Sequence, residues 1–204
     1  MLTKYWKQFK SGTDIRGVAC EGVAGEQVNL TDEAIGKMAD GFILWLSAKV
    51  KKAPVGLTVA VGHDPRISAE RIRTDCVRAL TAAGVHVLDC GLSSTPAMFM
   101  VTQDLNCDGS IQITASHHPW SRNGLKFFTR GGGLDGPDIE AILQHAQDGD
   151  KPAADVGAAE RTSVEKTDYM ARYCARLREM IQRGVHADDY AHPLAGFHIV
   201  VDAG

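Results

Sequence analysis

LTVAVG at residues 57–62 and VHVLDCG at 85–91, with the stretch between them, decide the fold class. Each run is short, rich in β-branched and aliphatic side chains, and ends on glycine, as buried strands do. Between them Ile72, Cys76, Val77 and Leu80 recur on one side of a helix that begins near Ser68 and stops at Gly84. A strand, a helix and a second strand in succession point to an α/β layer structure with a largely parallel sheet.

The pattern extends in both directions. Upstream, Ile35, Met38, Phe42, Ile43, Leu46 and Val50 trace one helical face, Thr31 is placed to cap it, and Asp32 and Glu33 put negative charge in its first turn. Pro54 and Gly56 end that helix. Downstream, Thr95-Pro96 opens a short helix over Ala97 to Leu105, with threonine as the cap and proline in the first turn. GSIQIT (109–114) and GLKFF (124–128) are two further strands, joined by a polar loop short enough for a hairpin, so at least one strand can run antiparallel. Pro137 to Gln147 gives another helix. The expectation for residues 1–150 is a three-layer α/β/α domain with a mixed, mostly parallel sheet of about four strands.

After Asp148 the sequence becomes small, polar and aperiodic, and residues 151–163 read as a linker. A helix follows with Val164, Tyr169, Met170, Tyr173, Leu177 and Ile181 apolar, and FHIVVDAG (197–204) reads as a strand. Residues 164–204 are therefore expected to be the start of a second α/β domain, cut short.

Composition excludes several classes. The 204 residues carry 22 Lys+Arg against 25 Asp+Glu, a formal charge of −3, with 44% hydrophobic and 23% charged residues. Such a chain is neither disordered nor a fibrous repeat, and it lacks the positive field of a nucleic-acid binder. No apolar run approaches the roughly 20 residues of a membrane span, and the first residues, MLTKYWKQFKSGTD, hold no signal-peptide core. Cys20, Cys76, Cys90, Cys107 and Cys174 are scattered without a C-x-x-C pair, which suits free thiols in a reducing compartment. The expected location is cytoplasmic.

The densest chemistry lies in Thr114-Ala115-Ser116-His117-His118-Pro119-Trp120-Ser121-Arg122-Asn123-Gly124-Leu125-Lys126. It leaves the end of a strand, where open α/β sheets bind ligands. A serine-triad hydrolase fits poorly, because no G-x-S-x-G surrounds Ser116 and an adjacent histidine rarely points back at the preceding side chain. A zinc site on His117 and His118 fits poorly as well, since neighbours on an extended chain point apart. Two other segments suit an anion. SGTDIRG (11–17) offers Ser11, Thr13, backbone amides and Arg16 to a phosphate, although taken alone it reads first as a surface turn. GHDPR (62–66) follows a strand, and Asp64 and Arg66 can pair locally within its turn.

Taken together and in this order, SGTDIRG, GHDPR and TASHHP with NGLKFF resemble the α-D-phosphohexomutase family, which includes phosphoglucomutase, phosphomannomutase and phosphoglucosamine mutase. The resemblance runs from Ser11 to Gly133, and the serine motif is its most specific part. It implies that Ser116 is a phosphoserine that exchanges its phosphoryl group with hexose 1- and 6-phosphates through a sugar bisphosphate. By the same resemblance His117 and Lys126 handle protons or neutralise phosphoryl oxygens, and Arg16 positions the phosphoserine or substrate. Ser11, Thr13, Arg66, His118 and Asn123 complete the expected phosphate- and substrate-binding set, with Arg66 closer to a structural role. The family commonly has Asn where His118 stands here. A neutral imidazole can also donate and accept at once.

The resemblance further implies Mg²⁺, bound by the serine phosphate and by aspartates of a later domain, with glucose 1,6-bisphosphate as activator. Asp148-Gly149-Asp150-Lys151 superficially resembles the aspartate cluster but stands in the wrong place, and reads as linker. Family members have four domains around one cleft, so this chain is expected to be inactive as a mutase by itself. A non-catalytic phosphate-binding or scaffold domain is the alternative. The partners expected are small hexose phosphates, with no nucleic acid and no membrane. Self-association through a face left by the missing domains is a further expectation.

Overall fold

The computed structural model describes residues 1–153 and 164–202. They fall into two units, Met1–Asp168 and Tyr169–Gly204. In chain order the elements are α1 (Lys4–Lys7), β1 (Lys10–Ser11), β2 (Asp14–Val18), α2 (Asp32–Val50), β3 (Thr58–His63), α3 (Ala69–Ala82), β4 (His86–Leu92), α4 (Thr95–Asp104), β5 (Gly109–Ile113), β6 (Arg122–Thr129), β7 (Gly132–Gly133), α5 (Gly136–Asp148), β8 (Val164–Lys166) and α6 (Tyr169–Val185).

The sheet runs β1-β2-β6-β5-β3-β4-β8, with β7 paired to β6. It is mixed, as expected, but it has eight strands, not about four. Among the four expected strands, β3 pairs parallel with β4 and β5, and β6 pairs antiparallel with β5. Three of the four extra strands tip the balance: β2 on β6, β1 on β2 and β7 on β6 are antiparallel while β8 joins β4 in parallel, so the sheet as a whole is not mostly parallel. SGTDIRG is accordingly neither a free turn nor a loop. It is a hairpin, turning at Gly12 (φ +61) with Ser11 opposite Asp14.

Alternation along the strands creates two unlike faces. Ile15, Val59, Val61, Val87, Ile111, Ile113, Leu125 and Phe127 are fully buried within the main core, which also takes in the apolar stripes of α2, α3 and α5. Phe42 of α2 stacks on Phe127 at 4.6 Å between ring centroids. Gly41 lets α2 and α5 meet backbone to backbone, since a Cβ there would lie 2.4 Å from the Ile142 carbonyl oxygen. The opposite face of β3, β5 and β6 is covered by α4: Ser110 bonds the Met98 carbonyl, Gln112 donates to the Ser93 carbonyl at 2.9 Å, and Phe128 meets Phe99. That gives the expected three layers, with α4 as a short cover that leaves the β2–β6 side open to polar residues.

The caps follow the sequence closely. Thr31 Oγ1 accepts from the Ala34 amide at 3.2 Å and fixes the start of α2. Thr31→Ala is expected to cost about 1 kcal/mol in a urea melt. At α4 the cap is Ser94, one residue earlier than expected, because its Oγ reaches the Ala97 amide and Pro96 then sits inside the first turn. Asp135 and Asp138 close a capping box on α5.

The compact first unit continues past residue 150. Val164 is not helical but belongs to β8, which pairs parallel with β4 and adds an edge strand from 164–166. Most of the expected linker, 154–163, lies outside the described residues. In the second unit α6 begins at Tyr169, and the Tyr169 and Tyr173 rings lie 6.3 Å apart. The expected strand over 197–204 is not formed among its described residues, 197–202: no neighbouring strand pairs with them, and Val200 and Val201 are 83% and 84% exposed. Among the described residues no helix is long and apolar enough to cross a membrane.

Candidate active site

β3 and β5 run parallel, so their C-terminal ends release two loops, 64–68 and 114–121, at one edge of the sheet. This is the edge at which α/β sheets gather ligands. β6 re-enters there at Arg122, and the last residue of β2, Val18, lies opposite it.

Ser116 stands exposed with φ 53, a left-handed conformation uncommon outside glycine. The turn folds the chain back, so Ser116 Oγ lies 3.3 Å from His117 Nδ1. The sequence expectation that an adjacent histidine points elsewhere fails here for that reason. Nor do the two imidazoles point apart, since the chain is not extended: their rings stack at 5.4 Å and 14°. Among the described residues no group of three or more potential metal ligands forms.

Arg66 holds this loop from beneath. Nη1 donates to the carbonyls of Pro119 at 2.9 Å and Arg122 at 3.0 Å, and Nη2 to those of Ser116 at 2.8 Å and His118 at 2.9 Å. Nε donates to Asp64 Oδ2 at 3.2 Å. An arginine has five N–H donors and all five are engaged. Arg66 therefore has none left for a phosphate, which corrects its place in the expected binding set. The local Asp64–Arg66 pair expected within the GHDPR turn is present. Thr114 Oγ1 donates to Asp64 Oδ2 at 2.7 Å and accepts from the Ser116 amide at 3.1 Å.

A second group of charges flanks the loop on the α4 face. Asp14 Oδ2 accepts from Arg16 Nη2 at 2.6 Å, and Asp14 Oδ1 from Lys126 Nζ at 2.7 Å. Arg16 is 8% exposed, and its Nη1 is buried with no hydrogen-bond partner. Burial lowers its pKa, offset in part by Asp14. A buried guanidinium nitrogen left unpaired is costly, and an anionic ligand would satisfy it. Gly124 lies opposite Arg16 in the strand register, and only a glycine fits there: a Cβ would sit 2.0 Å from the Ile15 carbonyl oxygen and 2.8 Å from Arg16 Cδ.

His118 is held below its ordinary pKa of 6.5, first by partial burial and then by the positive charges of Arg16, His117, Arg122 and Arg66. Its ring is therefore neutral at pH 7. An NMR titration should place its midpoint below 6.5, and Arg16→Met should raise it. Because the folded state binds the proton less readily than the unfolded chain, His118 lowers stability as pH falls below 6.5.

The remaining expected site residues divide. Asn123 is fully buried, donating to Ser68 Oγ at 2.9 Å and accepting from the Gly124 amide, so it ties β6 to the start of α3 and cannot reach a phosphate. Ser11 and Thr13 are exposed in the β1–β2 hairpin, at the end of β2 away from Val18, and no described hydrogen bond links them to the serine loop. Asp14 and Thr114 stand inside the quoted motifs without being singled out, and Asp64 is named only as the local partner of Arg66. Their signal was spacing: each lies two residues from Arg16, Arg66 or Ser116.

Magnesium takes hard oxygen ligands. Around Ser116 the described side chains are mostly cationic, and Asp64 is already engaged by Arg66 and Thr114. Asp148 accepts from Gln144, and Asp150 bonds His145, both at the C-terminal end of α5, where the helix dipole favours a cation but no cluster of three ligands forms among the described residues. The cationic side chains near Ser116 suit a phosphoryl group, and the described residues do not by themselves assemble a magnesium site.

Residues 8–153 match the family described as phosphoglucomutase/phosphomannomutase, alpha/beta/alpha domain I. The chain belongs to this family. The match includes the serine loop, the Arg66 turn and the Arg16 strand. A phosphoglucosamine mutase of Corynebacterium jeikeium (strain K411) is 35% identical over 146 residues, 71% of this chain and 31% of the relative. A phosphomannomutase of Sinorhizobium fredii (strain NBRC 101917 / NGR234) is 34% identical over 176 residues, 84% and 37% of the two chains. The crystal structure of a phosphoglucomutase/phosphomannomutase family protein from Burkholderia thailandensis superposes with a TM-score of 0.67 at 24% identity, over 87% of this chain and 36% of that one, and shares the fold. The chain spans about a third of the length of these relatives.

Proposed function

We propose that this chain carries the phosphoryl-donor serine of a phosphohexomutase acting on hexose 1- and 6-phosphates. In the transfer the bond from phosphorus to Ser116 Oγ breaks and a bond from phosphorus to a hydroxyl oxygen of the hexose phosphate forms. The hydroxyl loses its proton, Oγ gains one, and the product is a sugar bisphosphate. Return of its other phosphoryl group to Ser116 completes the isomerisation. Such chemistry depends on positioning and charge neutralisation more than on a base that activates the serine.

The observation that carries this reading is the exposed, left-handed Ser116 at the C-terminal edge of the sheet, with His117 Nδ1 3.3 Å from its Oγ. His117 can pass a proton to or from Oγ. Arg16 and Lys126, held on the two oxygens of Asp14, offer cationic donors to a phosphoryl group, and the unpaired Arg16 Nη1 is the donor most in need of one. Magnesium, when bound through the serine phosphate, would supply charge neutralisation, and glucose 1,6-bisphosphate would load the serine. The free thiols suit a reducing, cytoplasmic setting, with Cys76 and Cys90 pushed up to about 12 by burial and unreactive.

The test is incubation of the chain with glucose 1,6-bisphosphate and Mg²⁺ followed by peptide mass mapping. One phosphoryl group on the peptide containing Ser116 is expected. Phosphate bound without covalent transfer would instead favour a non-catalytic phosphate-binding domain.

A further inference from the structure

We infer that Arg66, oriented by Asp64, is the positioning residue of the serine turn: it fixes Ser116 for transfer without touching the transferred group. The inference rests on the reading of Ser116 as the phosphoryl carrier. A left-handed serine is strained and persists only when its surroundings hold it. Here one side chain gathers the carbonyls of residues 116, 118, 119 and 122 onto a single guanidinium. Backbone oxygens carry partial negative charge, and four of them loose in this loop could turn toward a phosphoryl group and repel it. Bound to Arg66, they face inward.

Asp64 makes the arrangement specific. Its Oδ1 accepts from the Arg66 amide and its Oδ2 from Arg66 Nε, so the guanidinium plane is fixed from the strand side. The same Oδ2 accepts the hydrogen bond of the Thr114 hydroxyl, which leaves the Thr114 oxygen to accept from the Ser116 amide. Asp64, Arg66 and Thr114 thus grip Ser116 at its amide and at its carbonyl, on both sides of the strained residue. Arg66 is 13% exposed and Asp64 21%, so water competes weakly for these bonds. A lysine keeps the charge and the aliphatic stem but cannot span four carbonyls.

The experiment compares the wild-type chain with Arg66→Lys and Asp64→Asn in two measurements. Hydrogen exchange should quicken about tenfold or more at the amides of Ser116, His118 and Arg122, with the melting temperature held. Phosphoryl uptake by Ser116 from glucose 1,6-bisphosphate should slow about tenfold or more, a loss of orientation at a distance. Unchanged exchange, or loosened exchange with uptake at the wild-type rate, would overturn the inference. A melting temperature that drops with exchange quickened across the whole sheet would also overturn it, by making Arg66 a general stabiliser. If the wild-type chain takes up no phosphoryl group, the reading of Ser116 as carrier fails, and exchange alone then decides the positioning: quickening confined to 114–122 supports it, no change refutes it.

Discussion

Ser116→Ala is expected to abolish phosphoryl uptake from a sugar bisphosphate, a fall of at least about 10⁴-fold, to the background of the measurement. Uptake needs an oxygen that can become a phosphate ester. Around the turn the other hydroxyls are engaged, Thr114 by Asp64 and the Ser116 amide, and Ser121 by Glu26, and the imidazoles and guanidinium groups give no stable ester. Among the described residues the only hydrogen bond of the Ser116 side chain is the 3.3 Å contact to His117, so its loss removes little stability. The Ser116 amide and carbonyl keep their bonds to Thr114 and Arg66 in the alanine variant, and the left-handed turn stays held. The variant should therefore melt within about 0.5 kcal/mol of the wild type, as surface changes do. Uptake retained on another residue of the loop would show that the wrong hydroxyl has been assigned.

Gly124→Ala is expected to destabilise the first unit by about 3 kcal/mol. The new methyl would meet the Ile15 carbonyl oxygen at 2.0 Å and Arg16 Cδ at 2.8 Å. The first is backbone in a paired strand, so it cannot swing aside. β2 must move away from β6, and the register Ile15–Leu125, Arg16–Gly124 and Gly17–Asn123 is strained with it. Arg16 would then lose its place beside Asp14, so phosphoryl uptake should fall along with stability. Urea denaturation checks the first effect. A midpoint equal to that of the wild type would mean that β2 is less tightly apposed to β6 than this geometry shows.

Much of this was legible in the sequence, for reasons tied to period and capping. β3, β4 and β5 are apolar on short, glycine-bounded runs, and α2 shows its stripe and its Thr31 cap directly. β2 was not legible, because DIRGV has only two apolar side chains and its pairing partner lies over a hundred residues away. β8 was hidden for the same physical reason: three residues gain their strand character from β4, not from their own alternation. Ser116, His117, Arg16 and Lys126 could be named from motifs. What the motifs could not give was which donors were already spent. Arg66 and Asn123 look like phosphate ligands by residue type, and the fold uses them to bind main chain and Ser68 instead. Asp14 became visible only when two strands brought Arg16 and Lys126 to its two oxygens.

The most direct test of Ser116 as a phosphoryl donor is a chase. The chain is loaded with radiolabelled phosphoryl groups from glucose 1,6-bisphosphate, freed of small molecules and given unlabelled glucose 6-phosphate with Mg²⁺. The label should leave the protein and appear in a hexose bisphosphate. Label that stays on the protein, or that leaves only as inorganic phosphate, would contradict the account.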